Sequence, residues 1–185
     1  MLGRIRRSPV KICIIAVAGA AAIFAALYYA GAFLPSYTVW HDCTVESTSP
    51  DAPDLIELKN RRVRVIKDGD VIFTTPAFCK VSNMIYTDID RDGENELILL
   101  NFNIGKFGDA RPFWIKFDPP VYRQHIYIYD YRPDEKIIRP IWMASDIGVR
   151  ASDMEAVKDD VIRIWDCDGK ESNWMWISFG LRCVD

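Results

Sequence analysis

Residues 85–100 read IYTDIDRDGENELILL, and this stretch carries the clearest structural signal in the chain. Two short apolar runs, Met84–Thr87 and Leu97–Asn101, flank an acidic segment that contains Asp92-Gly93. Asp-Gly is a strong turn signal between two runs of strand length, so the stretch predicts a β-hairpin rather than a helix.

The same arrangement recurs along the chain. Asp68-Gly69 and Asp168-Gly169 each separate two apolar runs, and further strand-length runs lie between them; the predicted strands are Arg62–Ile66, Val71–Thr75, His125–Tyr131, Lys136–Trp142, Val161–Asp166 and Trp174–Phe179. A helical turn is expected only near Ser152–Ala156. The pattern predicts an all-β domain, either propeller-like and small or built from two sheets.

The acidic segment has the composition of a calcium loop. Asp88, Asp90 and Asp92 alternate and are followed by Gly93, and such closely spaced carboxylates repel one another unless a cation lies among them. Calcium accepts about six to eight oxygen ligands in flexible geometry, and a glycine allows the sharp turn that the loop needs. An EF-hand is excluded because its twelfth position would be Leu99 and the flanking segments are strands.

The loop resembles the DxDxDGxxE/D segment of FG-GAP or VCBS-type repeats, which form the blades of integrin-α-like propellers. The resemblance implies a Ca²⁺ ion held by the side chains of Asp88, Asp90, Asp92 and Glu96 and by the main-chain carbonyl of Glu94. It also implies a non-catalytic binding or adhesion function. The alternative interpretation is a solvated acidic turn without a metal.

A second, degenerate copy of the repeat is expected around Gly169, which lies 76 residues after Gly93. Asp168 and Asp166 then correspond to Asp92 and Asp90, whereas the other acidic positions are lost. Propellers contain about four to eight four-stranded blades. This chain is too short for a closed propeller and is expected to hold a single pair of repeats.

An apolar segment precedes this domain. Residues 12–34 contain no charged side chain, and this segment is long enough for a transmembrane helix of about 20 residues. Residues 1–11 carry four basic and no acidic side chains, so the positive-inside rule predicts a cytoplasmic tail, a signal-anchor in the lipid bilayer and an extracytoplasmic remainder. Cleavage as a signal peptide at Ala30-Gly31-Ala32 is the alternative.

Residues 35–54 are rich in Pro, Ser, Thr and Asp, and they are predicted to form a linker to the extracytoplasmic β domain at 55–185. An early strand near Tyr37–Trp40 is the one element expected there. The net charge of −3 and the pI of about 5.4 argue against a nucleic-acid partner.

Export changes the interpretation of the cysteines. Cys43, Cys79, Cys167 and Cys183 are even in number, and an oxidising compartment favours two disulfides among them. Three pairings are open. Cys43–Cys183 with Cys79–Cys167 is preferred because it would join the two ends of the domain, and free thiols are the alternative.

The segment Asn101–Arg123 is long for a β connection, and loops of this length are often functional. Its mixture of basic and aromatic side chains makes it the candidate ligand-contact surface, with Lys106, Phe107, Arg111, Phe113 and Trp114 as the contact residues. The alternative is an ordered loop that covers a sheet edge.

Catalysis is not expected. The chain has two histidines and none of the common phosphate-binding, nucleophile or metalloprotease motifs. The prediction is a membrane-anchored, calcium-binding β domain that binds a protein or glycan or scaffolds an envelope complex. A carbohydrate-binding module is the first alternative and a cell-envelope hydrolase the second.

Overall fold

The computed structural model describes residues 9–144, 147–158 and 160–184, and the chain divides into two units between Leu34 and Pro35. The first unit contains one helix, α1 (Pro9–Tyr29). Its segment Cys13–Ala30 is long and apolar enough to cross a membrane, a test that membrane anchors and signal sequences both pass. The predicted N-terminal apolar helix is therefore confirmed.

The described part of the second unit is β-rich, as predicted, with a single 3₁₀ turn at Gly108–Ala110. Its strands are β1 (Cys43–Glu46), β2 (Leu55–Lys59), β3 (Arg62–Lys67), β4 (Asp70–Thr74), β5 (Lys80–Thr87), β6 (Glu96–Ile104), β7 (Tyr122–Arg132), β8 (Ile137–Met143), β9 (Ala151–Lys158), β10 (Val161–Asp166), β11 (Glu171–Trp176) and β12 (Leu181–Cys183).

These strands form three antiparallel sheets of four consecutive strands each, the first from β1–β4, the second from β5–β8 and the third from β9–β12. The three predicted Asp-Gly turns join β3 to β4, β5 to β6 and β10 to β11. Thr87 and Glu96 are the last and first paired residues of the β5–β6 hairpin. None of the sheets formed by the described strands closes on itself, and a propeller is not confirmed.

The two middle strands of the second sheet, β6 and β7, are buried on both faces. Leu97 and Leu99 of β6 pack in one apolar cluster with the first sheet, whereas Ile98 and Leu100 pack in another with the third sheet. Because successive residues of a strand point to opposite faces, a strand between two layers buries side chains on both faces and is apolar over much of its length. The apolar run LILL therefore reflects the central position of β6.

The structure describes the segment that was predicted to be a linker. Residues 35–54 belong to the β unit, and they contain β1, which pairs with β2. The N–H groups of Val39 and His41 donate to the carbonyls of Ser152 and Ser82, both at 2.9 Å. The early strand expected near Tyr37–Trp40 is not formed, and the first strand, β1, begins at Cys43.

Two further expectations differ from the structure. Residues 152–156 lie in strand β9 rather than in a helical turn, since Ala151 and Met154 are buried and β9 pairs with β10. In addition, Gly93 follows the first strand of its sheet whereas Gly169 follows the second. The two acidic turns of the expected repeat pair thus occupy different places in their sheets.

The structure does not support the predicted disulfides. All five cysteines are among the described residues, and no disulfide joins any two of them. Cys43 and Cys183 lie in the first and third sheets, while Cys79 is buried before β5 and Cys167 lies in the β10–β11 turn. The preferred pairing would have joined residues from different parts of the three-sheet stack.

Candidate metal centre and contact loop

The acidic loop, residues 88–95, connects β5 and β6 and is folded by its own carboxylates. The Asp88 carboxylate accepts the N–H groups of Asp92 at 3.1 Å and Gly93 at 3.0 Å, and the Asp92 carboxylate accepts that of Glu94 at 2.8 Å. Gly93 has φ +94°, a left-handed conformation that glycine adopts without strain. The alternation of aspartates in the sequence therefore produces a compact turn.

Three of the five predicted metal ligands converge. One carboxylate oxygen each from Asp88, Asp90 and Glu96 lies within 4.8 Å of the other two. Glu96 is only 2 % exposed, and its Oε2 accepts the N–H of Ile89 at 2.9 Å. The hairpin register thus places the first residue of β6 beneath the loop, where its carboxylate faces those of the aspartates.

The electrostatics of this group disfavour three negative charges. Burial, with the nearby charges of Asp90, Asp92 and Asp88, raises the pKa of Glu96 to about 7, against the opposing hydrogen bond from Ile89. Burial and the Asp92 and Asp88 carboxylates also raise the pKa of Asp90. A divalent cation would relieve this repulsion, and the oxygen-only donor set fits calcium.

The other two predicted ligands lie beside this group. Asp92 and Glu94 line a polar cleft of about 640 Å³ that extends to Glu46 and Asp51 of the first sheet's edge and to Asp130. Only the main-chain carbonyl of Glu94 was expected to bind the metal. The carboxylates of Asp92 and Glu94 both add to the negative charge of this cleft.

Asp130 is an acidic neighbour that the sequence pattern did not single out. It lies on β7, is 7 % exposed and is paired with Arg132 at 2.7 Å. Burial raises its pKa, and the Asp92 charge acts in the same direction, against the Arg132 guanidinium. In the sequence, Asp130 stands out only as the single acidic residue of the apolar run HIYIYDY. The folded strand β7 is what brings its carboxylate to the acidic loop.

The contact loop, residues 105–121, is displayed from the second sheet between β6 and β7. The predicted contact residues Phe113 and Trp114 are 94 % and 66 % exposed, Lys106 and Arg111 are also exposed, and Phe107 is half-buried. Phe117, 74 % exposed, extends the same surface and was not selected. By contrast, Trp142, Trp174 and Trp176 pack against the core between the second and third sheets.

The two histidines have structural surroundings. His41 Nε2 lies 2.9 Å from the Asp153 carboxylate, which also accepts the side-chain N–H of Asn83 at 2.6 Å. His125 is fully buried, and its ring nitrogens lie 2.9 and 3.2 Å from the carbonyls of Ala144 and Gly105. These contacts join distant segments, which local sequence patterns do not reveal.

No protein-family model, curated protein or solved structure matches this chain. The likeness to FG-GAP and VCBS-type repeats therefore remains a resemblance of one loop.

Proposed function

We propose that this protein is a membrane-anchored, extracytoplasmic β domain that binds calcium and serves as a non-catalytic binding or scaffolding module. The N-terminal apolar helix holds the chain in the bilayer, with its basic residues on the cytoplasmic side. The β unit binds a protein or glycan partner or scaffolds an envelope complex.

The convergence of the Asp88, Asp90 and Glu96 carboxylates within 4.8 Å is the observation that carries this proposal. A buried glutamate beside two aspartates is costly as a trianionic group, and a hard divalent cation offsets that cost. Asp92 and the carbonyl of Glu94 complete the ligand set proposed from the resemblance.

Calcium in this position has a structural function. The cation neutralises the charge of the acidic loop between β5 and β6. It thereby stabilises the pairing of these two strands of the second sheet, against which the first and third sheets pack. The metal needs no open coordination position for chemistry, which suits a binding module rather than an enzyme.

The decisive experiment is calorimetric titration of the full chain in detergent with Ca²⁺, combined with thermal melts in Ca²⁺ and in chelator. A ligand at 100 times its dissociation constant adds about 2.7 kcal/mol, which raises the melting temperature of a chain of this size by several degrees. Asp90→Asn should abolish both the binding heat and the shift.

The control is Asp168→Asn, because Asp168 is an exposed aspartate in the acidic turn before Gly169 and lies outside the three-carboxylate group. It should leave calcium binding unchanged. If the unmodified chain has the same melting temperature with and without millimolar Ca²⁺, the loop is only a solvated acidic turn and the metal proposal is overturned.

The partner is tested separately by a glycan array and by affinity capture from solubilised membranes, each with the full chain and with Trp114→Ala. Retention on defined glycans that Trp114→Ala abolishes would identify a carbohydrate-binding module. Recovery of one membrane complex without glycan retention would identify a scaffold, and turnover of an envelope polymer would refute the non-catalytic assignment.

A further inference from the structure

The tip of the contact loop exposes an unusual amount of aromatic surface. Phe113 is 94 % exposed, Phe117 is 74 % exposed and Trp114 is 66 % exposed. The Phe113 and Trp114 rings contact each other edge to face, with centroids 4.9 Å apart, and so form one apolar protrusion. A cluster of large exposed hydrophobic side chains marks an interaction surface.

The base of this loop is tightly held. The Asp118 carboxylate accepts the N–H of Lys106 at 2.7 Å and of Phe107 at 3.0 Å, and Gly105 donates to the Val121 carbonyl at 2.9 Å. A Cβ at Gly105 would overlap the Asp118 carboxylate, so the two ends of the loop approach as closely as glycine permits. The aromatic tip is therefore presented on a fixed support.

The charge around the tip differs from that of the rest of the β unit. The contact loop, residues 105–121, contains three basic residues, Lys106, Arg111 and Lys116, against two acidic residues, Asp109 and Asp118, whereas the chain after Leu34 holds 19 basic and 26 acidic residues. Cations beside exposed Trp and Phe suit the boundary between anionic headgroups and acyl chains.

We propose that the contact loop inserts Phe113, Trp114 and Phe117 into the interface of an anionic lipid bilayer. A chain anchored in a bilayer keeps its β unit near lipid, and exposed aromatic side chains enter a fluid surface without needing matching pockets. The inference rests on the proposed membrane anchoring and gives the contact loop a lipid partner. The polar cleft beside the acidic loop then remains for a protein or glycan.

The test uses the full chain in nanodiscs of phosphatidylcholine, with or without phosphatidylglycerol, in which some acyl chains are brominated near the headgroup. Bromine quenches tryptophan emission at short range. The difference in emission between the unmodified chain and Trp114→Phe gives the contribution of Trp114. Brominated lipid should reduce this contribution about twofold or more. The matched control, Trp165→Phe, removes a half-buried indole of β10 whose emission should be unaffected.

A charge arm tests the headgroup preference. Lys106→Glu with Lys116→Glu should weaken the insertion of Trp114 by about fivefold per lysine in the phosphatidylglycerol mixture, with little change in phosphatidylcholine alone. Circular dichroism of each variant verifies that the β unit is folded.

Flotation of the reconstituted chain separates this inference from the anchor. If the chain floats with lipid but Trp114 is not quenched, the loop inference is overturned and the anchor stands. If flotation is lost only in the triple variant Phe113→Ser, Trp114→Ser and Phe117→Ser, the loop is the attachment and the anchor proposal fails. A chain that never floats with lipid overturns both.

Discussion

At the scale of single residues, Glu96 has the most consequential surroundings in the molecule. A carboxylate that is 2 % exposed and faces two aspartates holds its proton to about pH 7, whereas in the unfolded chain it ionises near its ordinary pKa of 4.5. Between these two values the folded state binds a proton that the unfolded state has released. In that window the metal-free protein must lose stability as the pH rises.

We therefore expect the melting temperature of the full chain in chelator to fall by several degrees between pH 5 and pH 7.5, since one pKa unit corresponds to about 1.4 kcal/mol. Saturating Ca²⁺ should remove most of this slope, because the cation stabilises the ionised form. The raised pKa values of Asp90 and Asp130 act in the same direction.

Glu96→Gln is the informative variant, because its side-chain oxygen can still accept the Ile89 N–H. It should flatten the pH dependence in chelator and weaken calcium binding at the same time. Asp54 and Asp166, whose pKa values are lowered by hydrogen bonds from Lys67 and from the N–H of Lys170, act below pH 3.8 and leave this window unchanged. A slope that persists in Glu96→Gln would assign it to another group.

At the scale of elements, the β5–β6 and β3–β4 hairpins offer a matched pair of glycines. Gly93 and Gly69 have φ values of +94° and +86°, and a Cβ at either position would meet no atom within 4 Å. Alanine is therefore strained by the backbone alone in both turns, at a cost of about 1–2 kcal/mol.

We expect Gly93→Ala and Gly69→Ala to lower the melting temperature in chelator by similar amounts, whereas only Gly93→Ala weakens calcium binding. Gly93 N–H donates to the Asp88 carboxylate, so strain there displaces a proposed ligand. Calorimetric titration of both variants provides the measurement. Equal calcium affinity in the two would show that the loop geometry does not determine the site.

The sequence predicted these elements well where the signal was local. Asp-Gly turns between apolar runs located the β3–β4, β5–β6 and β10–β11 hairpins, and alternating aspartates located the group of Asp88, Asp90 and Glu96. It failed where pairing is distant. Strand β1 has only four residues and pairs with β2, and Asp130 reaches the acidic loop only through the position of β7 in the second sheet.

At the scale of the β unit, the packing of the second sheet on the third depends on a close approach that no local pattern shows. A Cβ at Gly180, in the β11–β12 turn, would overlap the indole of Trp142 on β8, which itself contacts Trp176 edge to face. Gly180→Ala should therefore lower the melting temperature by several degrees more than Gly148→Ala, which has φ +73° but open space around it. Equal losses would mean that the indole moves aside without cost.

At the scale of the whole chain, cysteine labelling measures the membrane topology and the thiol state together. Cys183 is exposed on β12 and no disulfide joins it to another cysteine, whereas Cys79 is buried. With the apolar helix anchored and its basic end in the cytoplasm, a membrane-impermeant maleimide should modify Cys183 on intact cells without reductant. Cys183→Ser should remove this labelling, and Cys79 should react only after denaturation.

The possible results separate three descriptions of the molecule. Labelling of Cys183 that requires a reductant would restore the disulfide expected from export and would contradict the thiol state of the structure. Labelling that requires permeabilised cells would place the β unit in the cytoplasm. That result would contradict the orientation predicted by the positive-inside rule. Labelled protein that is extracted from membranes by alkali would identify the helix as a signal sequence rather than an anchor, since a retained transmembrane helix resists such extraction.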